Sequence, residues 1–371
     1  MKTFPKSGNN IENIKNILFI APLYPDRAPS QRFRFEQYLE FFRQNGYDYD
    51  FSYLVNPKND KTFYAKGKVF DKALLQLDFA VKRFQDVISA NKYDIVFIQR
   101  EAFYLGTTIF EYLFSRSKAK LVYDFDDSIW LPNVSDANVK YDWLKNYNKT
   151  AKIIAYADLV IAGNEYLKNY ALAKNKNVII IPTTIDTEEY KPIAKKEKKQ
   201  ICIGWSGSIT TIQHFKKAIP VLSKIREKYG NQVSFKVIGD ASYTNEQLDI
   251  KGIAWQKSNE IEELSEFDIG IMPLPDSEWA KGKCGLKGLQ YMALEIPTIM
   301  SPVGVNSEII SDGENGFLAD SDEQWVDRIS LLIENKELRN KIGSEGRKTV
   351  IEKYSVESQK HRYLEAFNKL T

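Results

Sequence analysis

Read for its apolar and polar positions, the chain opens with a polar arm and then turns apolar at almost every residue through Asn16–Leu23 (N-I-L-F-I-A-P-L). A run without alternation predicts a strand covered on both faces, as in a parallel sheet. The loop Tyr24–Pro29 leads to Ser30, an N-cap residue type, and a helix is expected from there to Gln44, closed by Asn45-Gly46. A strand over Tyr49–Val55 follows, then a lysine-rich stretch, 57–92, with a helical pattern at Leu74–Ile88. Short apolar strands are predicted at Asp94–Gln99, Lys120–Tyr123, Leu159–Ala162 and Val178–Ile181, most of them separated by helical segments. That alternation specifies an α/β unit. After the charged linker Lys195–Lys199 the pattern restarts, with strands at Ile201–Trp205, Ser234–Ile238, Ile269–Met272 and Thr298–Met300 and a helix over Gln213–Tyr229. Two doubly wound units place a cleft between the C-terminal ends of their strands. The expected domains are 1–185 and 186–354, with a helical segment 355–371 able to pack back on the first.

Composition changes this picture little. The chain has 371 residues, enough for two cores, and is 43% hydrophobic and 27% charged. A net charge of +3, from 52 basic and 49 acidic residues, gives no reason to expect nucleic acid. Cys202 and Cys284 form no metal-ligand or redox pattern. The opening M-K-T-F-P-K-S-G-N-N has no apolar signal core, and no apolar run reaches the ~18 residues of a membrane span. A cytoplasmic location is expected, with peripheral membrane contact left open. Tyr141, Trp143 and Tyr147, interleaved with lysines, have the spacing of an interfacial helix or of an ordinary docked one.

Chemistry concentrates in three places. Lys281–Pro297 (K-G-K-C-G-L-K-G-L-Q-Y-M-A-L-E-I-P) predicts a helix starting near Gly285, its buried face formed by Leu286, Leu289, Met292 and Ala293. Lys281, Lys283 and Lys287 beside free helix N–H groups suit a phosphate; solvated lysines on a core helix are the alternative. Gly204-Trp205-Ser206-Gly207-Ser208 follows a strand of the same sheet, and Gly207 and Ser208 would let backbone approach a pyrophosphate. Asp124-Phe125-Asp126-Asp127 ends a first-domain strand, where carboxylates could hold a cation, bind sugar hydroxyls, position a base or cap a helix. Arg32 and Arg34 open the first helix and Arg100-Glu101 follow another strand end, where arginine suits an anionic substrate group or a surface ion pair. With only His214 and His361 present, a histidine triad or histidine metal site is hard to build.

The second half resembles the retaining glycosyltransferases of family 4. The residues that carry it are Asp268–Leu274 (D-I-G-I-M-P-L), Lys281–Pro297, Ser301-Pro302-Val303-Gly304 and Asp312–Leu318 (D-G-E-N-G-F-L), with Ile181–Thr187 before them. Pro29–Arg34 and Val122–Asp127 look like one subgroup of these enzymes. The resemblance implies a GT-B fold: two Rossmann-like, doubly wound parallel-sheet domains with an interdomain cleft. It implies transfer of a hexosyl group from a nucleotide-sugar donor to a hydroxyl of a glycan or lipid-linked acceptor. Configuration would be retained and no metal or cofactor used, in cell-surface polysaccharide or glycoconjugate synthesis. Of the family's paired glutamates, the ribose-binding one falls on Gln290 and the sugar-contacting one on Gly282. The family's glycine two before the proline is Glu295, its basic pair falls on Ser208 and near Gln213, and its first-domain histidine is replaced most nearly by Asp126. Transferred to this chain, Asp126, Asp127 and Lys287 would be catalytic. Gly207, Ser208, Trp255, Lys281, Lys283, Gly285, Leu286 and Gln290 would hold the donor, and Arg32, Arg34, Arg100 and Glu101 the acceptor. A sugar-nucleotide epimerase, a non-catalytic binding protein and a metal-binding D-x-D site at Asp124–Asp126 remain as alternatives.

Overall fold

The computed structural model describes residues 14–65, 67–131, 146–194 and 199–371. Six parallel strands form the first sheet: β1 (Lys15–Leu23), β2 (Tyr47–Val55), β3 (Ile95–Gln99), β4 (Lys120–Phe125), β5 (Leu159–Ala162) and β6 (Val178–Ile180). Their order is β2-β1-β3-β4-β5-β6. Successive residues of β1 enter two different cores, Leu18 and Ile20 on one face and Ile17, Phe19 and Ala21 on the other. Such burial on both faces is why the strand reads as unbroken apolar sequence.

The second sheet contains β7 (Ile201–Ser206) and β8 (Val233–Ile238), then, after a small hairpin of β9 (Thr244–Asn245) and β10 (Ile250–Lys251), the strands β11 (Ile269–Met272), β12 (Thr298–Met300) and β13 (Phe317–Leu318). Its order is β13-β12-β11-β7-β8, again parallel. The architecture is thus two Rossmann-like α/β domains.

Two expected helices are broken. The segment from Ser30 to Gln44 divides into Pro29–Arg32, a short 3-10 turn and Leu39–Gln44, and its N-cap is Ala28, with Pro29 at the first helical position rather than Ser30 at the cap. Phe33, Arg34 and Phe35 are all buried, and each enters a different environment. A continuous helix would turn them ~100° apart and leave one facing solvent. The helix expected over Gln213–Tyr229 becomes Ile212–Lys216 and Ile219–Tyr229. Pro220 lacks the N–H and clashes with the preceding turn, so it opens the second helix instead of continuing the first.

The helical pattern from Glu323 onward resolves into Asp322–Glu334, Lys336–Thr349 and Val356–Leu370, the last two joined by a π-helical turn. The chain leaves the first domain and returns to it side by side, with Ile185 N donating to Tyr354 O and Val356 N to Ile185 O. Tyr363, Ala366 and Phe367 of the last helix then pack with Phe19, Phe42 and Tyr47 in the first domain's core. Tyr363 donates its hydroxyl to the Arg34 carbonyl at 2.5 Å, and Tyr47 donates to Asn368 Oδ1 at 2.6 Å.

Candidate active site

The cleft floor on the second-domain side is the helix Leu286–Ala293, which enters from Gly285 in the left-handed region (φ 71°) and has no side-chain cap. Its first-turn N–H groups therefore point out of the helix end without an intrahelical partner. Lys287, on that first turn, is half-buried and has no carboxylate within ion-pair distance among the described residues. Burial, and next the neighbouring Lys283, lower its pKa from 10.5 to about 8. An ammonium held this way is stabilised by any anion that enters.

Across the cleft, the three aspartates diverge. Asp124 is fully buried and bound by Arg34, whose Nη2 lies 2.5 Å from Oδ1 and whose Nη1 donates to the Ile181 carbonyl. Arg34 thus points inward and does not offer its guanidinium to the cleft. Asp126 pairs with Arg100 at 2.9 Å. Asp127 pairs with Lys283 at 2.7 Å and lies 3.7 Å from Arg100. Asp124 is taken by Arg34, while Asp126 and Asp127 share Arg100; among the described residues no group of three or more His, Cys, Asp or Glu side chains could hold a metal ion. Arg100 itself adopts φ 62°, a conformation costly for a side-chain-bearing residue, which carries its guanidinium onto both aspartates.

Other expected residues are placed differently. Lys281 turns away to Glu278 at 2.7 Å, so only Lys283 and Lys287 converge. Glu101 pairs with the buried Lys149 at 2.9 Å, which also donates to the Phe103 and Leu105 carbonyls. The N–H groups of Gly207 and Ser208 are already committed to Ile238 O and Thr211 Oγ1. Of the aromatic set at 141–147, only Tyr147 lies within the described residues.

A network invisible in the sequence closes the base of the cleft around Glu260. Its Oε2 accepts from Arg32 at 2.8 Å and from Tyr190 at 2.7 Å; its Oε1 accepts from Trp255 at 2.8 Å and from Gln290 at 3.1 Å. Gln290 also donates to the Tyr190 hydroxyl at 3.1 Å. Arg32 comes from the first domain, so this buried cluster pins the domains together. His214 was passed over as one of two histidines; it lies buried against Trp279, its rings stacked with centroids 5.5 Å apart. Burial, then Lys287 and Lys283, lower its pKa to about 4, and its Nε2 has no hydrogen-bond partner among the described residues.

Gly282 has a steric explanation. A Cβ there would lie 1.9 Å from Ser128 Oγ and 2.8 Å from Ser128 N. The first domain packs directly on this loop, and Asn164 Nδ2 donates to the carbonyls of Gly282 and Lys283 at 3.3 and 3.1 Å. No glutamate fits at 282 while the two domains are closed in this way.

Residues 186–349 match the family model for glycosyl transferases group 1. The chain carries a glycosyltransferase group 1 domain. This group 1 domain holds the helix Leu286–Ala293, Trp255, Glu260 and His214. EpsD of Bacillus subtilis (strain 168), provisionally named a glycosyltransferase, is 26% identical over 235 residues, covering 57% of this chain. The chain spans 60% of that relative's length. A glycosyltransferase from Rickettsia africae ESF-5 superposes with a TM-score of 0.67 at 16% identity, covering 96% of this chain and 99% of that one. Anabaena Alr3699/HepE, solved with UDP and glucose, gives a TM-score of 0.65 at 14% identity, covering 96% of this chain and 100% of that one. These structural likenesses establish the GT-B fold for both domains together.

Proposed function

We propose that the protein is a retaining, hexosyl-transferring glycosyltransferase. It takes a nucleotide-sugar as donor and a hydroxyl of a glycan or lipid-linked molecule as acceptor, in cell-surface polysaccharide or glycoconjugate synthesis. The observation that carries this reading is the uncapped helix end at Gly285–Leu286 with Lys287 on its first turn, which has no carboxylate within ion-pair distance among the described residues, opposite Asp126 and Asp127. A diphosphate there meets two cationic side chains and free N–H groups, which stabilise it as it departs; charge developing at a leaving group is where preorganised donors lower a barrier most. Lys283 would exchange Asp127 for phosphate, freeing that carboxylate for the acceptor hydroxyl, with Asp126 held by Arg100. Gln290, released from Tyr190, would take the ribose hydroxyls, and Trp255 would lie near the base. Lysines do the neutralising in this scheme, so activity should survive chelation.

The group 1 domain supports the reaction class, and UDP bound by Anabaena Alr3699/HepE supports trying uridine nucleotides first. A cytoplasmic site at the inner membrane face is part of the same reading. The test is a panel of nucleotide-sugars scored by thermal stabilisation, then by turnover with and without acceptors. Lys287→Ala should cut turnover by about two orders of magnitude with little change in unfolding midpoint. Unchanged turnover removes Lys287 from the mechanism. Conversion without acceptor makes the protein an epimerase, and binding without turnover on any acceptor makes it a binding protein.

A further inference from the structure

The helix Val69–Ser89 is apolar on two opposite sides. Phe79 is buried, with Leu75, Ala80 and Val87 packed against the same first-domain core. Phe70, Leu74, Leu77, Val81, Phe84 and Ile88 form a second stripe that faces outward, each between 46% and 79% exposed. Phe84 meets the Phe110 ring edge-on at 5.0 Å; the other five have no ring contact among the described residues. The spacing alternates four and three without a break across the helix, which is the 3.5-residue period of a helix–helix seam. Exposed Ile109 and Tyr112 on the adjoining helix Ile109–Phe114 extend the patch.

We propose that this stripe is the interface of a twofold dimer, its occupant the same helix of a second copy running antiparallel. Two observations favour that partner. The stripe is symmetric about Phe79: an antiparallel mate places Phe70 opposite Ile88, Leu74 opposite Phe84 and Leu77 opposite Val81. A twofold interface requires that self-complementarity. Finally, six large side chains more than half exposed on average offer on the order of 600 Å² per copy before the flanks are counted, close to the ~800 Å² per partner of a standard interface.

The experiment uses the full chain in light scattering coupled to gel filtration, at micromolar concentration. Wild-type protein should have twice the chain mass, and Leu77→Glu the single chain mass with an unchanged far-UV circular dichroism spectrum, since position 77 is 64% exposed. An equimolar mixture of Leu77→Cys and Val81→Cys chains should cross-link on oxidation, while neither variant cross-links alone. A monomeric wild type overturns the proposal, whether or not it floats with phosphatidylcholine–phosphatidylglycerol vesicles. A dimer that survives Leu77→Glu, or Leu77→Cys that links to itself, overturns it as well.

Discussion

Position 295 shows what one residue type can cost. Glu295 is the C′ residue of the helix Leu286–Ala293, and its φ is 57°. Its N–H bonds to Met292 O and that of Ile296 to Tyr291 O, the two bonds of a Schellman motif. That motif wants glycine, the residue the family resemblance places two before the proline. Glu295→Gly should stabilise the protein by ~0.5–1 kcal/mol, after allowing for the looser unfolded chain, as read by urea denaturation. Lys287 gives a pH-dependent prediction. Its native pKa of about 8 lies below the 10.5 of the unfolded chain, so between those values the unfolded state binds more protons and this group's contribution to stability rises with pH. Anion binding runs the other way, because the diphosphate prefers the charged amine. UDP affinity, measured by calorimetry, should fall as pH rises through about 8, and Lys287→Met should lack that fall.

At the level of elements, the strands were legible and the helix breaks were not. β1 and β4 announce themselves because both of their faces are covered, leaving unbroken apolar runs at Ile17–Leu23 and Leu121–Tyr123. The break at Phe33–Phe35 depends on Arg34 finding Asp124, ninety residues along the chain, and no local window contains that partner. The helix start at Gly285 was readable from spacing and glycine, whereas Glu260 gave no signal: its ligands Arg32 and Tyr190 are 228 and 70 positions away. Gly282 looked like a missing glutamate in sequence and proves to be a contact point. The last helix acts as a strap across the first domain through side chains fully withdrawn from water, Tyr363 and Phe367 among them. Phe367→Ala should cost about 3–5 kcal/mol, seen as an earlier urea transition, because the cavity it leaves is walled by the aromatic rings of Phe42, Tyr47 and Phe97.

For the molecule as a whole, the closed arrangement rests on a few contacts across the cleft: Arg32 with Glu260, Lys283 with Asp127, and Asn164 with the loop at Gly282. A donor that reaches Lys287 must separate some of them. The Arg32–Glu260 pair is almost fully desolvated, with side chains 6% and 8% exposed, so removing one partner strands the other and favours opening, where water can reach it. Cys284 sits in the same seam. Its Sγ is 3.2 Å from the Asp126 carbonyl, a Cβ on Gly163 would fall 2.4 Å from it, and burial pushes its thiol pKa up to about 12. A thiol so placed is inert while the halves touch and becomes ordinary once they part. Its alkylation rate is therefore a clock for domain separation, readable without substrate or label once Cys202 is replaced by Ser. Arg32→Ala should speed that clock at least about tenfold.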